Sequence, residues 1–98
     1  MYNYLYMKKE EKKKKFLKKR SILWWGVKDV EKISDGAMLE TVLNYGDWDD
    51  VLEVFDILGL EKAAEIFFKQ IENRRVNYRP ETLNYFKLYF KKHVLLNK

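Results

Sequence analysis

At 98 residues the chain has room for one hydrophobic core, and 47% apolar and 16% aromatic residues are enough to build it, which excludes a disordered chain. There is no cysteine, so disulfides, thiolate metal sites and cysteine nucleophiles are all excluded. The longest apolar run, Ile22 to Val27, falls far short of the roughly 20 residues that cross a bilayer. The net charge of +5 is unevenly spread: residues 1–20 carry nine Lys/Arg against two Glu, residues 29–65 two Lys against eleven Asp/Glu, and residues 66–98 eight Lys/Arg against two Glu. An acidic middle between two basic ends predicts a polarised molecule, and the expected setting is a cytoplasmic one without a membrane.

In chain order, residues 1–20 read as a basic Lys-rich arm, either a solvated helix or disordered, that stays outside the core; Phe16 and Leu17 are its only apolar residues after Met7. Met7 is also a candidate natural start. Residues 21–98 form the helical domain. It opens on an irregular segment, Ile22 to Ile33, in which one of the adjacent Trp24 and Trp25 packs and the other lies over a groove or edge.

From Ser34 helical signals repeat. Ser34 or Asp35 caps a helix whose stripe is Met38, Leu39, Val42, Leu43 and Tyr45, and Gly46 is expected to close it in a left-handed conformation. Asp47 and Asp50 have the spacing of an acidic capping box, and Asp49 suits the positive helix end. Trp48, Val51, Leu52, Phe55 and Leu58 then predict the buried face of the next helix, closed by Gly59. A helix over 60–73 turns Leu60, Ala63, Ala64, Phe67 and Ile71 inward. After a loop of residues 74–79, Pro80 starts a last helix with Leu83, Phe86, Phe90 and Val94 inside. No run alternates as a strand does. The predicted fold is all-α, a compact orthogonal bundle of four to five short helices with a basic N-terminal helix or arm.

Catalytic groups are sparse. His93 is the single histidine and reads as a surface residue at a helix C-terminus; neither serine lies in a nucleophile elbow, and no glycine-rich phosphate cradle occurs. Asp49, Glu53 and Asp56 share a helix face that could offer oxygens to a divalent cation, but capping and solvation account for them, so neither a metal nor a cofactor is expected. The chain is therefore read as a non-enzyme. A docking surface is expected from exposed aromatics together with the acidic helix: Trp24, Trp25, Asp49, Glu53, Tyr85 and Tyr89. The alternative is a DNA- or RNA-binding module using Lys8–Arg20, with Lys12, Lys15 and Arg20, and Arg74–Lys91, with Arg74, Arg75, Arg79, Asn84 and Lys87. Against it, the joint before the last helix is longer than a tight turn, and Glu61, Glu65 and Glu72 face outward from the preceding helix.

Four segments, LWWGVKDVEKI, TVLNYGDWDDV, LGLEKAAEIF and RPETLNYFKLYF, spread between Leu23 and Phe90, resemble a small prokaryotic family of uncharacterised helical proteins. That family shows a Phe/Trp-Trp-Asp-Val opening, a V-L-x-Y-G-x-x-x-D/E joint, a Tyr/Leu-Gly helix and a closing S-P-x-T-x-N-F/Y-W/F helix. Trp24, Trp25, Val42, Leu43, Tyr45, Gly46, Pro80, Thr82, Asn84 and Phe86 carry the resemblance; Gly26 and Arg79 depart from it, and the Lys-rich arm lies outside it. Such proteins are often encoded beside nucleotidyltransferase-type toxins of the abortive-infection kind. The resemblance thus implies an antitoxin-like or accessory role with such a toxin as partner, and it brings no catalytic residues.

Overall fold

A computed structural model describes residues 8–73 and 76–95, and within them the chain is an all-α bundle. Helix α1 (Lys9–Lys19) is followed by 3-10 turns at Ser21–Trp24 and Val30–Lys32, then α2 (Asp35–Tyr45), α3 (Trp48–Leu58), α4 (Leu60–Glu72) and α5 (Pro80–Phe90), which runs on into a π-helical turn over Lys91–Leu95. Among the described residues no helix is long and apolar enough to cross a membrane.

The caps follow the local chemistry. Ser34 Oγ accepts the Ala37 N–H at the start of α2, and Asp47 and Asp50 close a reciprocal capping box on α3. Pro80 sits at the first position of α5, where its missing N–H leaves nothing unpaired. Gly46 differs from expectation: its φ of −75° is extended, not left-handed. Glycine is needed there for space, because a Cβ would lie 2.8 Å from the Val42 carbonyl oxygen and 3.1 Å from Asp50 Cβ. Gly59, at φ +87°, does occupy the region other residues avoid.

The main correction concerns the N-terminal segment. Phe16 and Leu17 are fully buried, so α1 belongs to the core instead of standing outside it as an arm. Two adjacent apolar residues suffice because the rest of the helix is held by charge: Lys9 and Lys13 bracket Asp35, Lys14 and Lys18 meet Glu31, Lys12 meets Asp56, Lys19 meets Glu53 and Arg20 meets Asp50. Phe16 also meets the Trp24 ring edge-on at 5.9 Å. Docking of α1 explains a second correction. The buried face of α3 is Val51, Val54, Phe55, Ile57 and Leu58, while Trp48 and Leu52 of the predicted stripe are exposed. Helix α1 pairs with Asp50, Glu53 and Asp56, and Val54 and Ile57 lie on that side of the helical wheel, so the buried surface turns away from Leu52.

On the other side of α3, rings replace aliphatic packing. Phe90 lies 5.4 Å from Phe55 and 5.2 Å from Phe67, and Phe67 lies 5.0 Å from Tyr78. These side chains seat α5 on the bundle and leave its opposite face open.

Two carboxylates report how α1 is held. Partial burial raises the pKa of Asp35, but the ammonium groups of Lys13 and Lys9 outweigh it and leave the carboxyl below its ordinary range. Lys18, with Lys14, lowers that of the exposed Glu31. A depressed folded pKa contributes stability that is present above the unfolded value, about 4, and is lost as pH falls through the folded value. Chemical denaturation at successive pH values should therefore show wild type losing more stability on acidification than Asp35→Asn. Phe16→Ala should lower stability by roughly 3–5 kcal/mol, as for a buried ring removed from a core; a free arm would show no change.

Candidate protein-docking face

The last turn of α2 decides where α5 sits. Asn44, buried among apolar neighbours, uses its whole amide on the segment before α5: Nδ2 donates to the Asn77 carbonyl at 3.1 Å, and Oδ1 accepts the Arg79 N–H at 3.0 Å. The Asn44 backbone carbonyl accepts from the Arg79 guanidinium at 3.4 Å. A second amide, Gln70 on α4, donates to the Gly36 carbonyl at 3.0 Å and accepts from the Tyr78 hydroxyl. Burial, then the Glu40 carboxylate, pushes the Tyr78 phenol well above its ordinary value, so it stays protonated and donating. Asn44 thus holds both ends of the 77–79 segment and Gln70 its middle residue. Arg79, at the N-cap of α5, makes no side-chain cap bond to that helix; its guanidinium reaches the last turn of α2, and its own N–H is satisfied by Asn44.

With α5 fixed there, its outward residues meet the start of α3. Trp48 contacts Tyr85 at 6.4 Å and Tyr89 at 5.7 Å, both edge-on, and Tyr85 and Tyr89 stack at 6.3 Å. Tyr89 rests on Phe55 at 5.7 Å and on the His93 ring at 4.3 Å. The surface is substantially open: Trp48 is 45%, Tyr85 54% and Leu88 62% exposed. Two shallow clefts flank Tyr85. One, of about 250 Å³, lies over the α2–α3 joint and is lined by Leu43, Trp48, Val51 and Thr82 together with the carboxylates Asp47 and Glu81; the other, of about 240 Å³, is lined by Leu88, Tyr89, Lys92 and His93.

The expected site residues are brought together only in part. Tyr85 and Tyr89 stand side by side, Tyr85 exposed and Tyr89 half-buried. Trp24 is buried against Phe16, and Trp25, 90% exposed, lies on a separate surface turn with Ile22 and Val27. Asp49 is exposed, whereas Glu53 is held by Lys19 at 2.6 Å. Of the nucleic-acid set, Lys12 and Arg20 meet Asp56 and Asp50, Arg79 meets Glu81 and Asn44, and Asn84 and Lys87 lie on the open side of α5. Lys15 is exposed on α1, and Arg74 and Arg75 lie outside the described residues. Among the described residues no three His, Asp or Glu gather closely enough to hold a metal ion.

Sequence reasoning passed over Trp48 and Leu88. Trp48 fits the spacing of a core stripe, yet the first residue after a cap overhangs the helix end; Leu88 continues the spacing Tyr85, Leu88, Tyr89, Lys92, a stripe on the wrong side of α5 for its core. Comparisons with family models, curated proteins and solved structures find no match.

Replacing Asn44 with Ala removes its two side-chain bonds and leaves the Arg79 N–H without its partner. Thermal or urea unfolding should show a loss of about 1–3 kcal/mol, while Asn84→Ala, exposed on α5, should stay within about 0.5 kcal/mol.

Proposed function

We propose that this chain is a non-enzymatic protein-binding module, antitoxin-like or an accessory component of a toxin–antitoxin pair, that acts by occluding or escorting its partner. The observation that carries the reading is the open aromatic face of Trp48, Tyr85, Leu88 and Tyr89. Large rings exposed together beside a rigid cleft are what protein hot spots are made of, since they bury much area at low entropic cost. An apolar face of this kind on the surface of a small domain favours association over solvation. The partner class, a neighbour-encoded nucleotidyltransferase-type toxin, is supplied by the resemblance of the Leu23–Phe90 segments. With Glu53 held by α1, the acidic contribution to docking contracts to Asp49.

The test is co-expression with the neighbour-encoded protein followed by titration calorimetry of the purified pair. Tyr85→Ala and Leu88→Ala are both at exposed positions and should leave folding intact; together they should weaken the complex by about 30-fold or more, the loss of a hot spot worth roughly 2 kcal/mol. Unchanged affinity would remove this face from the account. The nucleic-acid alternative has a separate readout. Seven of the nine cations in residues 1–20 stand within ion-pair distance of the chain's own carboxylates. The expectation is therefore no oligonucleotide binding at about 50 mM salt; binding that collapses by orders of magnitude towards about 200 mM would favour the alternative.

A further inference from the structure

Charge is balanced very differently at the two ends of the chain. Six of the seven lysines of α1 face carboxylates, but from Thr82 to Lys98 the sequence has four lysines, one histidine and no Asp or Glu. Lys87, Lys91 and Lys92 are exposed, and among the described residues none of them pairs with a carboxylate. They belong to the same helix, and its π-helical continuation, as the uncovered stripe Tyr85, Leu88 and Tyr89. That stripe runs at i, i+3 and i+4 with a cleft on either side of Tyr85.

Resting on the protein-binding reading above, we infer that this face receives an acidic amphipathic helix of the partner. Its apolar side chains seat on Tyr85, Leu88 and Tyr89 in the cleft that Lys92 helps to line, away from Asp47 and Glu81 in the other cleft, and its carboxylates meet Lys87, Lys91 and Lys92. An apolar stripe in a shallow groove is read by helix anchors at the same i, i+3, i+4 spacing, and a lysine margin selects the sign of the flanking charge. The chain cannot supply such an occupant from its own acidic helix, because Glu53 and Asp56 already face α1. A second copy is disfavoured by symmetry: a two-fold contact would set this lysine margin against itself. A single-stranded nucleic acid shares the attraction to lysine, but it stacks on open ring faces, and Tyr89 already packs against Phe55, Tyr85 and His93.

Two synthetic helical peptides with the same Leu/Ile stripe, one flanked by Glu and the other by Lys, test this on the full chain by calorimetry. The Glu peptide should bind at least about ten-fold tighter, and the order should reverse in the triple variant Lys87→Glu, Lys91→Glu, Lys92→Glu, whose exposed positions leave folding intact. Leu88→Asp should abolish binding of both peptides. Equal affinity for the two peptides overturns the acidic-partner inference and leaves the protein-binding reading standing. Failure of the Glu peptide while the neighbour-encoded protein still binds through Tyr85 and Leu88 does the same. Tight binding of a single-stranded oligonucleotide with neither peptide bound overturns both. Self-association that Leu88→Asp abolishes overturns the inference in favour of a second copy.

Discussion

The last turn of α2 is the constraint on which the arrangement rests. Within three residues, Asn44 takes hold of the segment leading to α5, and Gly46 lets α3 begin in van der Waals contact with the turn it leaves. One fixes the start of α5 and the other the start of α3, and the aromatic face is the place where those two starts meet. A buried amide is an exacting clasp. Its donor and acceptor both need partners, so the structure that satisfies them is well separated in energy from structures that do not.

The opposite side of α3 is organised by a different force. Helix α1 contributes two fully buried side chains, and its long outer surface is solvated lysine. Individual surface ion pairs contribute little, typically below about 1 kcal/mol. Seven of them nevertheless set the direction of the helix and meet five of the eleven carboxylates in the acidic middle of the chain. The charge asymmetry in the sequence is thus largely an intramolecular match between α1 and its supports. Among the described residues, Lys87, Lys91 and Lys92, beside the open rings, pair with no carboxylate.

Much of the fold was legible because its signals are local. Ser34, the Asp47–Asp50 box, Pro80 and the periodic stripes of α2, α4 and α5 act within a turn or two of themselves, and the helices stand where these residues place them. What failed depended on residues far apart in sequence. Nothing near Phe16 and Leu17 announces that α3 will cover them, since their helix is otherwise lysine and glutamate. Once α1 is docked, the buried face of α3 rotates and Leu52 is released to solvent. At Gly46 the expected left-handed closure is absent, and close approach to Val42 and Asp50, not handedness, excludes a side chain. On the docking face, Tyr85 and Tyr89 could be read from surplus aromatic content, whereas Trp48 joins them only through the placement of α5, which Asn44 determines across 33 to 35 residues of chain.

The same dependence makes the account open to direct measurement. Native-state amide exchange of the full chain, followed by NMR, reports the free energy needed to expose each N–H. The Arg79 amide sits in a loop next to a proline, where an unclasped N–H would exchange with little protection. If Asn44 holds the start of α5, that amide should exchange only with opening energies close to those of the buried α3 amides. Exchange at the rate of an open loop, with α3 still protected, would contradict the claim that this clasp positions the aromatic face.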